Sequence, residues 1–219
     1  MIVHLLEYKV LAGHAAEVAG FVRQAFAAPM PAGLLTRCVG RRLALDGPRQ
    51  VVASAWQDPN AFRVGTNSAG VPRYLAGKSL LMRRRVSSQF RAVVWHGEDW
   101  TDARVLRLYR ASVAVAALEE WEGRAPQALD EVARKTGSSA AMAGCALAGK
   151  DPVDGIPILV LTAWRDWDAL LQATGGRLNW PLLNSELADF EEHALADHYE
   201  LMDMGAAVAS GPSDSNAAG

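Results

Sequence analysis

Two histidines stand in stretches whose residue pattern is typical of β-strands, His4 near the start of the chain and His198 near its end. An imidazole titrates close to neutral pH, so a histidine in a cleft can take a proton from a phenol or from a carbon acid. Alternation along the first stretch places His4, Leu6 and Tyr8 on one face. The alternative for either histidine is a structural role in which a backbone carbonyl satisfies the ring.

Aromatic side chains are a second chemical signal. The chain has seven tryptophans, and Trp56 and Trp164 each close an apolar, β-branched run. Their rings have the size and shape to stack on a planar polycyclic ligand. The alternative is that both rings fill the hydrophobic core.

Composition and cysteine count exclude several classes of protein. Half of the 219 residues are hydrophobic and the formal net charge is −2, which disfavours a disordered chain and a strongly basic nucleic-acid binder. Cys38 and Cys145 alone cannot form a disulfide framework, a four-cysteine zinc site or an iron–sulfur cluster, and we predict both as buried strand residues. We expect a cytoplasmic protein without a metal.

Other functional classes lack their sequence signals. The longest strongly apolar stretch, Ile156 to Trp164, is too short to span a membrane, and the first residues do not form a signal peptide. Motifs for dinucleotides, nucleoside triphosphates, serine hydrolases and zincins are missing. The run Arg83-Arg84-Arg85 is interpreted as solvated charge, with recognition of an anion such as a flavin phosphate as the alternative.

These residues belong to an internal repeat. The segment Ala55-Trp56-Gln57-Asp58 recurs 108 residues later as Ala163-Trp164-Arg165-Asp166. A helix-like stretch follows each copy, and Asp58 or Asp166 can cap that helix. The repeat therefore predicts two halves with the same local structure.

Each half has the order strand, helix, strand, strand, helix, strand. The predicted elements of the first half are Ile2 to Val10, His14 to Ala28, Leu34 to Leu45, Gln50 to Trp56, Leu75 to Arg84 and Ser88 to Trp95. Those of the second half are Val105 to Val113, Ala116 to Thr136, Ala140 to Ala148, Ile158 to Trp164, Leu182 to His193 and Ala196 to Asp203. On this alignment Cys38 and Cys145 occupy nearly equivalent places.

This order is that of the ferredoxin-like unit, an antiparallel sheet with helices on one face. Apolar residues on both alternations, such as Ile158 and Leu159, indicate that both sheet faces are buried. We therefore predict an α+β fold in which two tandem ferredoxin-like (βαββαβ) repeats pack sheet to sheet as an α+β barrel. The expected boundaries are 1–97 for the first repeat, 103–204 for the second and 205–219 for a disordered tail.

The endings of the third strands, Ser54-Ala55-Trp56 and Thr162-Ala163-Trp164, are similar in both halves. With these motifs the chain resembles the antibiotic biosynthesis monooxygenase-like domains of the dimeric α+β barrel superfamily, twice over across residues 1–203. That superfamily contains oxygenases, isomerases, haem-degrading enzymes, haem proteins and non-catalytic ligand binders, so the resemblance implies the fold more firmly than the activity.

The sequence differs from the motifs of two subfamilies, and these differences narrow the activities and cofactors that the resemblance implies. Cofactor-free anthrone oxygenases have Asn-x3-Trp-x5-Tyr around this tryptophan, where the first half has Val52 and Phe62. Haem-degrading members have a haem-ligating histidine ten residues after the tryptophan, where the two halves have Thr66 and Thr174. A haem cofactor is therefore disfavoured, although His193 on the last predicted helix is the position to compare with an axial ligand.

The resemblance implies a ligand cleft between the sheet and its helices. It assigns His4 and His198 as catalytic bases. The side chains expected to bind substrate are Tyr8, Trp56, Phe62, Arg107, Tyr109, Trp164 and Tyr199. We expect Arg107 and Tyr109 to lie on opposite faces of their strand. The sequence leaves open which half contains the active cleft.

The function implied is an oxygenase of antibiotic biosynthesis that acts on an aromatic polyketide, such as an anthrone or an angucycline-type phenol. It would hydroxylate the substrate, form a quinone or cleave a ring. Because the asparagine and tyrosine of the cofactor-free type are missing, the sequence favours reduced flavin (FMN or FAD) supplied by a separate flavin reductase. The alternatives are a non-catalytic ligand-binding barrel and a cyclase or isomerase. Monomer and homodimer both remain open.

Overall fold

The computed structural model describes residues 1–42, 48–68, 70–96, 102–136, 140–147, 155–178, 187 and 189–203. Residues 97–101, most of the joint expected between the halves at 97–103, lie outside the described residues. The predicted tail at 205–219 and parts of the predicted second strands and last helix also lie outside them. Trp100 and Trp180 also lie outside them.

The described residues form eight strands joined in one antiparallel sheet. The strands are β1 (Ile2–Val10), β2 (Leu34–Arg42), β3 (Arg49–Trp56), β4 (Met82–His96), β5 (Val105–Val113), β6 (Ala140–Ala146), β7 (Ile156–Trp164) and β8 (Glu191–Leu201). The sheet closes on itself in the order β1-β3-β2-β8-β5-β7-β6-β4. The first four strands and the last four are each contiguous, so the barrel has two seams, β2 with β8 and β4 with β6.

Helices cover the outer face of the barrel. They are α1 (Ala15–Ala27), α2 (Pro59–Gly65), α3 (Leu118–Thr136) and α4 (Trp167–Ala173), with 3-10 turns at Arg73–Leu81 and Val115–Ala117. The described helices all lack the combination of length and apolar character that a membrane span requires.

The predicted α+β class is confirmed, and the first strand and first helix agree with the prediction within one residue at each end. Two closing strands begin earlier than predicted. β4 starts at Met82, because Val10 of β1 is available as its partner. β8 starts at Glu191, because Val113 of β5 pairs with it. His193 therefore lies in a strand, and its predicted position on a helix is wrong.

Strand alternation sorts the core into an inner and an outer layer. Leu159 and Leu161 of β7 point into the barrel, whereas Ile158 and Val160 point to α3. All four side chains are buried. The expectation that both faces of the sheet are buried is confirmed, and the barrel interior is filled by side chains.

The two cysteines are not in equivalent places, contrary to our expectation. Cys38 is paired with Ala53 and belongs to the barrel interior, whereas Cys145 is paired with Ile158 and faces α3. The registers of β2 and β6 place corresponding residues 104 positions apart, so Cys38 corresponds to Met142. Cys145 lies three residues after Met142, and an odd number of residues turns a side chain to the other face. Burial raises the pKa of both thiols, which makes them unreactive as thiolates.

A partly buried ion network joins the halves inside the barrel. Glu7 of β1 forms a 2.8 Å ion pair with Arg110 of β5, and Arg110 is 2.6 Å from Asp197 of β8. Asp197 also pairs with Arg42, and the Tyr199 hydroxyl donates to Glu7 at 2.7 Å. Each of these contacts except Arg110 with Asp197 links an early strand to a late one.

Glu7 and Arg110 occupy corresponding positions in their halves. Glu7 is paired with Val51 of β3, and Arg110 is paired with Leu159 of β7. Val51 and Leu159 each stand five residues before the tryptophan that ends the strand. The same position thus carries a negative charge in the first half and a positive charge in the second, and the two side chains attract each other across the barrel.

Glycines permit close approach at the two seams. Gly40 of β2 and Gly144 of β6 are paired with Val51 and Leu159, so they too correspond. A Cβ on Gly144 would lie 2.6 Å from the Arg91 carbonyl oxygen, and one on Gly40 would lie 2.6 Å from the Tyr199 Cβ. Any side chain at these positions forces the seam strands apart.

The substitution Gly144→Ala should therefore destabilise the protein by about 1–3 kcal/mol, the usual cost of overpacking. Gly123→Ala is the matched control, because Gly123 lies in α3 with open space around its Cβ position, where alanine favours the helix. Urea unfolding of the two variants checks the difference. Equal stability of Gly144→Ala and the parent protein would contradict the seam argument.

Removing one charge of the ion network should also cost stability. Glu7→Gln keeps the size of the side chain but leaves Arg110 with one fewer carboxylate, so we expect a loss of about 1–3 kcal/mol in the free energy of unfolding. Glu17→Gln on the exposed side of α1 should change it by less than about 0.5 kcal/mol. A result for Glu7→Gln as small as that control would show that the pair does not hold the halves together.

Candidate functional site

The repeated tryptophan motif forms the same local structure twice. Trp56 Nε1 donates to Ser54 Oγ at 3.0 Å, and Trp164 Nε1 donates to Thr162 Oγ1 at 2.9 Å. Each indole is buried beneath the short helix that follows it. The hydroxyl two residues before each tryptophan therefore fixes the ring against the outer face of the sheet.

The aspartates that follow complete this structure. Asp58 accepts from the backbone N–H of Ala61 at 2.8 Å, and Asp166 accepts from that of Ala169 at 2.7 Å. Both predicted N-caps are confirmed. Each caps the helix whose inner side covers the adjacent cleft.

His4 is buried in the cleft of the first half. Its Nε2 is 3.0 Å from Ser87 Oγ, and its Nδ1 is 3.5 Å from Ser54 Oγ. Its ring centroid lies 5.0 Å from that of Phe62, which in turn packs edge-on against Trp56 at 5.9 Å. Three of the predicted site residues, His4, Trp56 and Phe62, are thus in one cluster.

The protonation of His4 differs from our expectation. Burial lowers its pKa to about 4, because the apolar cleft disfavours the charged imidazolium. At neutral pH the ring is neutral, and its basicity is weak. The expectation that this histidine titrates near neutrality is wrong for the protein without a ligand.

A pocket of about 460 Å³ opens beside this cluster. Its apolar lining comes from Ile2, Pro59, Phe62 and Leu147. Its polar lining includes Arg63, Thr66, Arg73 and Gln89. Phe62 both lines the pocket and contacts the His4 ring, so a ligand there is one side chain away from the imidazole. The volume is that of a site for one small ligand.

Ser87 lies between His4 and Gly70, which lines the pocket, although Ser87 itself is not part of the lining. Ser87 is exposed, and a Cβ on Gly70 would lie 2.4 Å from its Oγ. Gly70 has φ +68° and itself lines the pocket. The absence of a side chain at Gly70 leaves the hydroxyl of Ser87 at the boundary between the buried histidine and the pocket.

Tyr8 lies on the same face of β1 as His4 but beneath α1, away from the pocket. Its hydroxyl donates to Gln50 Oε1 at 2.7 Å, and burial raises its pKa. The structure therefore places the two predicted residues on one face, as expected, but gives Tyr8 an internal partner.

In the second half Arg107 takes the position that His4 has in the first. Arg107 is paired with Thr162, as His4 is paired with Ser54. It is fully buried, its guanidinium lies 5.2 Å from the Tyr109 ring, and burial lowers its pKa to about 10. Residues two apart share a strand face, so our assignment of Arg107 and Tyr109 to opposite faces is wrong.

Tyr109 is held by a carboxylate. Its hydroxyl donates to Glu191 at 2.7 Å, and Trp121 Nε1 donates to the same carboxylate at 3.1 Å. Burial raises the pKa of Glu191. These groups join β5, β8 and α3, so they act as a structural tie in the second half.

His198 is paired with Arg107 across β5 and β8, and its ring centroid is 6.0 Å from that of Trp167. Burial, with the nearby charge of Arg107, lowers its pKa to about 4. Tyr199, the next residue, points into the barrel interior and donates to Glu7. His198 and Trp164 thus lie on the helix side, whereas Tyr199 lies on the other side of the sheet.

Sequence reasoning missed several polar groups of the first-half site. Ser54 was visible only as part of a motif, and Ser87 reaches His4 from 83 residues away along the chain. Arg63 and Arg73 enter the pocket lining from helical turns that carry no recognisable motif. The repeat itself was the signal for Ser54, because its counterpart Thr162 makes the same bond.

The fold is similar to that of solved structures that match almost the whole chain. A candidate monooxygenase from Fusobacterium nucleatum has a TM-score of 0.70 at 10% identity, covering 92% of this chain and 91% of its own. A candidate monooxygenase from Lactobacillus acidophilus has 0.67 at 12%, covering 92% of each chain. An anthrone oxidase-like protein has 0.61 at 11%, covering 96% of each. No protein-family model and no curated protein matches the sequence. At these identities the similarity establishes a shared fold.

The low pKa of His4 predicts a pH-dependent stability. The folded pKa of about 4 lies below the unfolded value of 6.5, so the unfolded chain binds more protons between these pH values and stability falls as the pH drops through that window. His4→Asn should make the slope shallower by about one proton, while Gln57→Asn, at an exposed position without a titrating side chain, should leave it unchanged. Urea unfolding at several pH values from 4 to 7 measures the slopes, and equal slopes for both variants would contradict the prediction.

Proposed function

We propose that this protein is an oxygenase that acts on an aromatic polyketide bound in the first-half pocket. The observation that carries the proposal is the pocket of about 460 Å³ whose wall, Phe62, contacts both His4 and Trp56. The fold shared with candidate monooxygenases and with an anthrone oxidase-like protein supports the reaction class. The aromatic wall supports a planar substrate.

The proposed reaction needs a proton acceptor close to the substrate. A neutral His4 with its proton on Nδ1 donates to Ser54 and accepts the Ser87 hydroxyl proton at Nε2. Ser87 in turn takes a proton from a phenol or from an acidic C–H group of the ligand. His4 would then act through Ser87, because Phe62 separates the imidazole from the pocket.

Quinone formation from an anthrone balances without an added reductant. The methylene carbon is oxidised to a carbonyl, one oxygen atom of O₂ enters the product and the other leaves as water. Hydroxylation or ring cleavage takes electrons from a donor, for which the sequence favours reduced FMN or FAD from a separate reductase. The pocket has the volume of one small-ligand site, so it does not fit a flavin together with a polycyclic substrate.

We also interpret the halves as tandem ferredoxin-like repeats, residues 1–97 and 103–204. The tryptophan, hydroxyl and aspartate bonds that recur in both halves support this interpretation. In the second half, Arg107 and Leu170 stand where the first half has His4 and Phe62. We therefore assign the active cleft to the first half.

A non-catalytic ligand-binding barrel is the second candidate. The observation that favours it is the pKa of about 4 for both His4 and His198, which leaves two weak bases. A binding protein needs the pocket but no proton acceptor, so it would bind polycyclic phenols without converting them.

Incubation with polycyclic phenols under ¹⁸O₂, with and without reductase-generated reduced flavin, tests the activity. We expect label in the product, read by mass spectrometry. His4→Gln should lower turnover by about 100-fold, the usual size of a general-base contribution, while His14→Gln leaves it unchanged.

Two results would overturn parts of this proposal. Loss of turnover in His198→Gln with full activity in His4→Gln would move the active cleft to the second half. Binding of the phenols without labelled product under either condition would establish the binding protein instead.

A further inference from the structure

We infer that the first-half pocket selects ligands that combine an aromatic ring with an anionic group, of which an aromatic carboxylate is the simplest. The inference rests on the proposed function in so far as the pocket is the substrate site. It goes further by naming the charge of the substrate.

The lining of the pocket has cations and no carboxylates among the residues that the structure describes. Arg63 donates from Nη2 to Asn60 Oδ1 at 2.8 Å, and Arg73 donates from Nε to the Val64 carbonyl at 2.7 Å. Each bond orients one edge of a guanidinium, and neither arginine forms an ion pair with a described carboxylate. Guanidinium groups held in this way bind carboxylates with two parallel hydrogen bonds.

The sequence around the pocket also contains more basic than acidic residues. Residues 59–96, which run from the start of α2 to the end of β4, contain seven lysines and arginines and no aspartate or glutamate. The seven are Arg63, Arg73, Lys78, Arg83, Arg84, Arg85 and Arg91. Two of these cations, Arg63 and Arg73, line the pocket, whereas Arg91 pairs with Glu122.

The corresponding segment of the second half has the opposite charge. Residues 167–205 contain one arginine, Arg177, and eight acidic residues. The eight are Asp168, Glu186, Asp189, Glu191, Glu192, Asp197, Glu200 and Asp203. Leu171 stands at the position of Arg63. Leu171 of α4 thus takes the place of Arg63 of α2, so this helix does not require an arginine there.

Apolar groups supply the other part of the specificity. Phe62 offers a ring and Ile2 a buried apolar side chain at the inner side of the pocket. Leu147 comes from the end of β6 in the other half, and its backbone N–H donates to the Gln89 carbonyl at 3.0 Å. An inorganic anion would satisfy the arginines but leave this apolar surface in contact with water.

Isothermal titration calorimetry with 2-naphthoate, the neutral 2-naphthamide and inorganic phosphate tests the inference. We expect 2-naphthoate to bind at least about tenfold more tightly than 2-naphthamide, and its affinity to fall with added salt. In Arg63→Gln/Arg73→Gln the two naphthyl ligands should bind equally. Arg165→Gln, an exposed arginine of the second half, is the matched control and should behave as the parent protein.

The outcomes separate this inference from the proposed activity. Selective binding of 2-naphthoate supports it whether or not any substrate is oxygenated. Equal affinities of the parent protein for 2-naphthoate and 2-naphthamide would overturn it, as would unchanged selectivity in the double variant. Binding of phosphate as tight as that of 2-naphthoate would overturn the aromatic part.

Discussion

Closure of one barrel from two four-stranded halves is the constraint on which the rest of the structure depends. The Glu7–Arg110 ion pair holds the two halves together from corresponding positions of β1 and β5. Gly40 and Gly144, which also correspond, let the strands at the two seams approach closely. Two identical chains would present the same residue at both positions, and like charges would repel. A single chain can place glutamate in one half and arginine in the other. The covalent link between the halves thus permits an electrostatic match that a symmetric pair lacks.

A filled barrel places ligands on its outside. Leucine, alanine and tyrosine side chains occupy the interior, so space for a ligand exists between the sheet and the helices. Alternation along β1 and β3 then decides which residues reach that space. His4, Ser54 and Trp56 point outward, and the cap on Asp58 positions the helix that brings Phe62 over them. Two features therefore form the site: the alternation of side chains along β1 and β3, and the position at which α2 begins.

Local patterns in the sequence were sufficient for the order of the strands, the burial of both sheet faces and the two aspartate caps. The predicted helix from Leu75 to Arg84 is instead a 3-10 segment, Arg73–Leu81. Local patterns failed where a strand end or a side-chain contact depends on residues far away in the sequence. β4 and β8 are longer than predicted because strands far away in sequence supply their hydrogen bonds. Ser87 could not be assigned to His4, since only the register of β1 against β4 brings them together. The lowered pKa of His4 likewise follows from burial, a property of the assembled cleft.

The charge of the first-half cleft bears on the weak basicity of its histidine. Burial disfavours the imidazolium form of His4. A bound anion adds a negative charge one side chain away, and a nearby opposite charge favours protonation. We therefore expect such a ligand to raise the pKa of His4 toward the range in which proton transfer is efficient. On this argument an anionic substrate would convert a structural histidine into a base, and a neutral analogue of the same shape would bind without doing so.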